Sequence, residues 1–348
     1  MEASGWTLVA LVTTVLLAAA GTEPGDLFEV DVRRLAALWE SEHTSPAGAA
    51  ALKHADLVAR LEVLERGSAG ALRVEAVGSS VEGRKIYHAV VGTGPARILF
   101  WSQMHGDEPT ATSAILDLLA FFARHRKETW VDRILRAYTL DFVPMLNPDG
   151  AERSQRRNAQ GIDINRDARS LATPEGRVRL KPMLGFNLHD QSGLTTVGDT
   201  GKVATISLLA VAADAAPRAA ASGELAKRVT AVLYEALAPF IYGHIARYNE
   251  DFNPRAFGDN LTLAGTPIVL VESGGTPSGA PSGLTVKLNF VGLLAVLDSL
   301  ASGRVERANP AVFDAMKRNS DTPIFDLLLR NAWISAGNGV PLFRGDVA

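Results

Sequence analysis

The sequence predicts an α/β sandwich with a largely parallel or mixed sheet, and three observations carry that expectation. Short apolar runs of strand character alternate with longer runs of helical spacing, the pattern of strands covered by helices. Apolar residues make up 47% and charged residues 21% of 348 residues, which is enough to build a sizeable core and rules out a disordered chain. Polar residues with chemical potential, His105, Asn147, His189 and Glu272, each stand just after a predicted strand. In open α/β sheets ligands gather beyond the carboxyl ends of strands.

The elements follow in order. Residues 30–41 (VDVRRLAALWES) and 54–66 (HADLVARLEVLER) have apolar residues at helical spacing. Leu72–Val77 and Lys85–Val91 read as strands joined by the turn-rich GSSVEGR. Ile98–Trp101 is a short buried strand, Thr110–Arg124 a helix with Leu and Phe on one face, and Tyr138–Met145 a strand ending in the turn signal NPDG. Residues 147–182 are poor in apolar residues and rich in Arg, Asn, Asp and Gly, which predicts a long loop of the kind that is often functional. Gly185–Leu188 leads as a strand into His189, and a helix covers Glu224–Pro239. Ile268–Val271 is a buried strand ending at Glu272 before SGGTPSGAPSG, Val286–Leu300 is a further helix, and a tail with short helical pieces runs to Ala348. There is no internal repeat.

Composition narrows the chemistry. A net charge of −3 without blocks of like charge gives no bulk reason for nucleic acid or an anionic membrane as partner. Cysteine is absent, which excludes disulfides, thiolate metal sites and a cysteine nucleophile, so a metal must be held by His, Asp or Glu. The run Leu8–Ala20 (LVALVTTVLLAAA) is uncharged and apolar, of the length of a signal-peptide core, with Ala18-Ala19-Ala20 as small residues for cleavage. No Lys or Arg precedes it. The expectation is a signal peptide over 1–20, a periplasmic or secreted protein, and no stable membrane span after cleavage; a buried helix or uncleaved anchor is the alternative.

Catalytic zinc takes three protein ligands and keeps a fourth position for water, and two His with one Glu is such a set. His105 and Glu108, three apart across a strand-to-helix turn, can converge on one ion, with His189 as the third ligand. Taken alone, H-x-x-E is a weak signal, and Asp107 as a helix cap beside an ordinary loop histidine is the bland reading of QMHGDEPT. Agreement among the four strand-end positions favours a shared site.

The ordered stretches HGDE, NPDG, RRNAQGIDINRD, FNLHDQ and IVLVESGG resemble the motifs of the zinc carboxypeptidases, the M14 peptidase family, over roughly residues 70–300. The resemblance implies a three-layer α/β/α sandwich with a mixed, mostly parallel central sheet, one Zn2+ ion held by His105, Glu108 and His189, and a peptide substrate with a free C-terminal carboxylate. It implies that Glu272 is the general base that activates zinc-bound water. Asn165 and Arg166 would grip the substrate carboxylate, and Arg156 would polarise the scissile carbonyl, although adjacent Arg157 could exchange that role. Asp163 matches the carboxylate that orients His105. These roles suit the groups: a planar guanidinium fork matches a carboxylate, and a carboxylate behind a ligating imidazole raises its basicity.

Asn147 and Asp149 in NPDG read as turn formers. Tyr248 is the nearest candidate for the family's mobile tyrosine, with a structural loop tyrosine as the other reading. Asp107 stands where digestive members carry an arginine. The short spacing from Glu108 to His189 suggests a compact bacterial-type variant. The expected organisation is the signal at 1–20, an N-terminal helical segment at 21–66, the catalytic domain at 67–303 and a C-terminal extension at 304–348. The leading function is a zinc metallocarboxypeptidase. A zinc deacylase of N-acyl amino acids, similar to the aspartoacylase and succinylglutamate desuccinylase branch, and a non-catalytic binding domain of the same fold are the alternatives.

Overall fold

A computed structural model of the chain describes residues 26–45, 52–177, 182–211, 217–249, 252–321, 324, 329–334 and 343–347. The expected leader lies outside the described residues. Two helices come first, α1 (Val32–Glu42) and α2 (His54–Gly67). Strands β1 (Leu72–Ser79), β2 (Lys85–Val91) and β3 (Ala96–Trp101) follow, then helices α3 (Thr110–His125) and α4 (Thr129–Ala137), strand β4 (Tyr138–Val143) and the short helix α5 (Pro148–Arg153). After the long connection come β5 (Leu184–Asp190), β6 (Thr196–Val197), β7 (Ile206–Ala210), α6 (Pro217–Ile241), β8 (Ile245–Arg247), α7 (Phe257–Leu263), β9 (Ile268–Ser273) and α8 (Leu284–Ala301). The C-terminal part holds α9 (Ala311–Ala315), β10 (Asn319–Ser320) and a hairpin of β11 (Leu329–Ile334) with β12 (Phe343–Val347).

The main sheet has eight strands in the order β1-β2-β4-β3-β5-β9-β7-β8. β3 pairs in parallel with β4 and β5, β5 with β9 and β7 with β8, while β1–β2, β2–β4 and β7–β9 are antiparallel. This is the mixed, mostly parallel sheet with covering helices that the sequence predicts. Strand alternation sorts the side chains: Ile98, Phe100, Phe142, Phe186, Val269 and Val271 face the larger core, while Leu99, Trp101, Val143, Ile268 and Leu270 face the other side. Phe100 stacks on Phe142 and on Phe186 with ring centroids 4.8 Å apart in each pair, because the three are register partners on neighbouring strands.

The larger core packs under residues of α1, α2, α3, α4, α6 and α8. α8 is long and apolar enough to cross a membrane by length and composition, but it is buried among the other helices, with which its apolar residues share the core. The N-terminal helices are part of the same core through Leu35, Trp39, Leu57 and Leu61. A buried carboxylate ties them down: Asp117 of α3 accepts from the Trp39 indole N–H at 2.9 Å, the Thr44 N–H at 2.7 Å, and the Ser45 N–H and hydroxyl at 2.9 and 2.6 Å. Asp117→Ala would strand these donors, and we expect a loss of about 2–4 kcal/mol in urea unfolding. An unchanged midpoint would show that the N-terminal segment is held by apolar packing alone.

The sequence-predicted elements are present, with ends moved by a few residues. α4, α5, β6, β7, β8 and α7 were not legible, α5 lying within the predicted 147–182 loop, because runs such as Ile206–Ala210 and Ile245–Arg247 are too short to show a period. The tail differs most. Besides the helix α9 it contains β10, which pairs with β6, and the β11–β12 hairpin. The predicted loop at 147–182 is held by its own polar side chains. Asp167 accepts from the Ala172 and Thr173 N–H groups, Asn158 Oδ1 from those of Gln160 and Ile162, and Asp149 from Ser80, the Glu82 N–H and Arg84. Its Asn and Asp content is therefore what folds it.

Candidate metal centre

β3 and β4 continue side by side past their ends: the Leu146 N–H donates to Ser102 O and the Asn147 N–H to Gln103 O. Gln103 then turns the chain at a φ of 47°, and its side chain locks the turn by donating to Gly106 O at 2.9 Å and accepting from the Thr112 hydroxyl at 2.8 Å. Gly106 is required by close approach, since a Cβ there would lie 2.0 Å from the Gly150 carbonyl carbon. HGDE and NPDG thus touch through their glycine backbones. We expect Gly106→Ala to push them apart, lowering both the melting temperature and the zinc content of purified protein. A variant with full zinc content would refute this account of the turn.

Asp107 does not cap α3. It is exposed, the N-cap is Pro109 without a side-chain cap bond, and Asp190 instead accepts from the Thr110 N–H at 3.2 Å and its hydroxyl at 2.9 Å. Asn147 does form the turn at NPDG, its Oδ1 accepting from the Gly150 N–H at 2.9 Å. Its Nδ2 donates to Arg156 O at 3.2 Å, so the turn also anchors the backbone of Arg156.

The turn delivers His105 and Glu108, both buried, beside the end of β5. Glu108 bridges the two histidines: Oε1 lies 2.7 Å from His105 Nδ1 and Oε2 lies 2.7 Å from His189 Nδ1. The two Nδ1 atoms are 3.1 Å apart. Tetrahedral ligands about 2 Å from a zinc ion stand roughly 3.3 Å from one another, so this donor spacing suits such an ion. Two nitrogens and a carboxylate, with no thiolate, are also a donor set that zinc accepts. Arg156 Nη1 lies 3.1 Å from His105 Nδ1 and 3.4 Å from Glu108 Oε1, so the lone pairs already converge on positive charge.

Asp163 sits behind His105, with Oδ1 3.3 Å from Nε2, and its other oxygen accepts from Arg156 Nε at 3.1 Å. The charge of a carboxylate so placed favours a proton on Nε2, which would leave Nδ1 to ligate. Burial raises the Asp163 pKa, but His105 and Arg156 outweigh it and hold the carboxyl well below its usual range. Burial likewise opposes ionisation of Glu108, yet the adjacent His189 and His105 bring it down to about 2. For His105, burial favours the neutral ring, and the bonds to Asp163 and Glu108 reverse this, raising its pKa above the ordinary value. Burial dominates at His189, whose pKa is lowered. Asp190 is pushed up to about 7, mainly by burial and also by the Glu108 charge.

Glu272 is the parallel register partner of His189, so adjacent strands present both from one face of the sheet. It is buried and lines a cleft of about 500 Å³ together with His105, Glu108, His189, Arg156, Asn165 and Arg166. Asn165 Oδ1 accepts from the Phe257 N–H at 3.0 Å, which leaves its amide nitrogen as the end available to a ligand. Arg166 Nη1 donates to Asn165 O at 2.9 Å. Of the adjacent arginines, Arg156 reaches the cluster, while Arg157 Nη1 donates to Gly161 O within its own loop. Tyr248 also lines the cleft, but its backbone is held: its N–H donates to Leu208 O at 2.8 Å, and the flanking Arg247 and Asn249 N–H groups donate to Lys317 O and Asn319 Oδ1.

The structure thus brings His105, Glu108, Arg156, Asn165, Arg166, His189, Tyr248 and Glu272 into one cleft, with Asp163 behind His105 and Asn147 in the turn beneath Arg156. Cleft residues that sequence reasoning missed are Asp190, Gln191, Ser192, Thr195, Asn249, Leu270 and Asn319–Asp321. The first four lie within six residues of His189, and that adjacency was a usable signal. Asn319–Asp321 carry no local signal.

Comparison with known proteins shows what the matched stretch and the fold resemble. The family model described as zinc carboxypeptidase matches residues 57–179, a stretch that contains His105, Glu108, Arg156, Asp163, Asn165 and Arg166. The chain is 28% identical over 143 residues to the human carboxypeptidase N catalytic chain, covering 35% of this chain and 31% of that one. It is 29% identical over 140 residues to a probable carboxypeptidase 2 of Trichophyton verrucosum, covering 36% and 27%. The aligned stretches span less than a third of those relatives. Among solved structures, a metallo-carboxypeptidase from Burkholderia cenocepacia superposes with a TM-score of 0.57 at 17% identity, covering 72% of this chain and 69% of that one. A Pseudomonas aeruginosa metallo-carboxypeptidase gives 0.52 at 22% identity, covering 72% and 68%. Thus residues 57–179 match the zinc carboxypeptidase family model, and the chain has the fold of the metallo-carboxypeptidase structures it superposes on.

Proposed function

We propose that this chain is a zinc-dependent metallocarboxypeptidase that hydrolyses the C-terminal peptide bond of peptides. The observation that carries the reading is the meeting of two groups of residues in one cleft: the buried His105, Glu108 and His189 cluster with Glu272 beside it, and Arg156, Asn165 and Arg166 from the 147–177 connection. Held by the three donors, zinc would supply Lewis acidity for carbonyl polarisation and would lower the pKa of water. Glu272 takes the proton from the attacking water and passes it to the leaving amine, a task that needs a carboxylate within reach of both. Asn165 and Arg166 hold the substrate carboxylate by a neutral donor and a charged fork, which fixes the scissile bond near Glu272. Arg156, partly exposed and bonded to Asp163, stabilises the oxyanion as it develops.

Export to the periplasm or exterior is part of this proposal and rests on the Leu8–Ala20 run. The decisive experiment is digestion of a peptide library and a set of N-acyl amino acids by zinc-loaded protein, read by mass spectrometry. Loss of single C-terminal residues is the expected result, and amidation of the C-terminus should suppress it by removing the carboxylate that Arg166 holds. Hydrolysis of N-acyl amino acids alone would sink the peptidase reading in favour of a deacylase.

A further inference from the structure

A second cleft, of about 780 Å³, opens at the other end of the main sheet. The metal cluster lies past the carboxyl ends of β3 and β5, whereas this cleft is lined by Arg97 and Thr139 at the amino ends of β3 and β4. β3 is six residues long, which sets its two ends roughly 20 Å apart at about 3.3 Å a residue. Four arginines line the cleft, each from a different place in the fold: Arg73 from β1, Arg97 from β3, Arg126 directly after α3, and Arg136 from the last turn of α4. A single carboxylate, Asp132 of α4, lines it with them. The chain's net charge is −3, so folding gathers these cations against the overall balance.

The cleft is preformed. The connection from β2 to β3 is clamped to the joint of α4 and β4, where the Thr93 N–H donates to Leu135 O at 2.8 Å and the Thr139 hydroxyl to Gly94 O at 2.7 Å. Arg97 is held by a buried carboxylate: its Nε donates to Asp141 Oδ2 at 2.9 Å and its Nη2 to Asp141 Oδ1. Asp141 is itself fixed by His88, whose Nε2 lies 2.7 Å from Oδ1. Both bonds of Arg97 use one edge of the guanidinium, which leaves Nη1 for another acceptor. Arg73 and Arg136 pair with exposed carboxylates, Glu75 at 3.9 Å and Asp132 at 2.8 Å, and such pairs are weak in water. Arg126 donates to Ala123 O through Nη1, and among the described residues it has no ion-pair partner.

We propose that this cleft binds a small anion carrying several phosphate groups in series. Guanidinium groups reach one space from four parts of the fold. A tetrahedral phosphate offers oxygens to several of them at once, whereas a planar carboxylate fills a single fork. The volume lies within the range of small-ligand pockets and exceeds what one phosphate fills, so a chain of phosphates suits it better than a lone ion. Asp132 and Glu75 give up only weak, exposed pairs to such a ligand, while Asp141 keeps its bonds and orients Arg97. The cleft is separate from the metal centre, and the proposal does not rest on the carboxypeptidase reading.

The test is calorimetric titration of the zinc-loaded protein with phosphate, pyrophosphate and tripolyphosphate, and with tricarballylate, which carries three carboxylates. Zinc is measured before and after, since tripolyphosphate also chelates it. Affinity should rise stepwise from phosphate to tripolyphosphate, exceed that for tricarballylate, and weaken as salt screens the exposed guanidinium groups. Arg73→Gln and Arg126→Gln should each weaken tripolyphosphate binding by about threefold to fivefold, and the double variant by about tenfold or more, with melting temperature and zinc content unchanged. Arg166→Gln, which alters the metal cleft, should bind tripolyphosphate as the parent does. Equal affinity in the parent and the double variant, or no binding at all, would overturn the proposal and leave Arg126 and Arg136 to serve the carboxyl ends of α3 and α4. Binding lost in Arg166→Gln instead would place the phosphates in the metal cleft and overturn it as well. Tricarballylate bound as tightly as tripolyphosphate would overturn the choice of phosphate. Tripolyphosphate binding that depends on Arg73 and Arg126, in a protein that cleaves no peptide, would support this site and count only against the peptidase reading.

Discussion

Glu272→Gln is expected to lower kcat by about 10³-fold, within the 10²–10⁴-fold range for loss of a positioned general base. The change is isosteric and removes the proton acceptor alone. Glu272 is no part of the buried donor cluster, so the zinc content of the variant should stay at one equivalent. KM should move by only a few-fold, because the carboxylate grip proposed for Asn165 and Arg166 is untouched; a fall confined to kcat marks an interaction used in the transition state. Glu272 lies on β9 and is paired in register with His189 of β5 and Ser207 of β7, so the backbone around it is fixed from both sides. The amide should therefore occupy the same place as the carboxylate. Steady-state kinetics with metal analysis on the same preparation reads all three quantities. A variant as active as the parent would remove Glu272 from the mechanism and return it to a strand-end structural role.

The position of Glu272 also shows why part of this site was legible in the sequence. A carboxylate directly after the apolar run IVLV, and a histidine directly after FNL, are unusual because strand ends inside a sheet are buried. Each marks itself as costly, and the cost makes sense when the two meet as register partners on one face. H-x-x-E is likewise local, since three residues across one tight turn suffice to bring both side chains together. Gly106 had a signal as well, but its reason was hidden: the glycine answers to Gly150, forty-four positions on, across a backbone contact. β7 and β8 were lost because five and three residues give no period to detect. The wall at 319–321 was lost for a different reason. Two-residue β10 owes its existence to β6 and to the residues around Tyr248, and nothing in RNSD distinguishes it from any polar tail. What the sequence announces is the buried cluster, and what it conceals is the far wall of the cleft.

Replacing His189 with alanine should cost most of the metal affinity, because it removes one of three donors and leaves Glu108 Oε2 without its 2.7 Å partner. Zinc affinity should fall by more than about 100-fold, beyond the range of 10–100-fold that follows loss of a carboxylate behind a ligating histidine. Asp163→Asn supplies that milder case. The two variants also differ in how affinity depends on pH. Zinc needs neutral imidazoles, so a proton on His105 competes with the ion, while Glu108, at about 2, stays ionised throughout. His105 has a raised pKa, so in the parent zinc affinity should hold at alkaline pH and decline by up to tenfold per unit as pH falls through that pKa. Asp163 is one of the groups that raise it. In Asp163→Asn the decline should therefore begin at lower pH even though affinity at neutral pH is weaker. Competition with a chelator of known affinity across pH 5–9 would measure both effects. A parallel downward shift of the whole curve in Asp163→Asn, with no change in its inflection, would show that Asp163 orients the ring without setting its proton affinity.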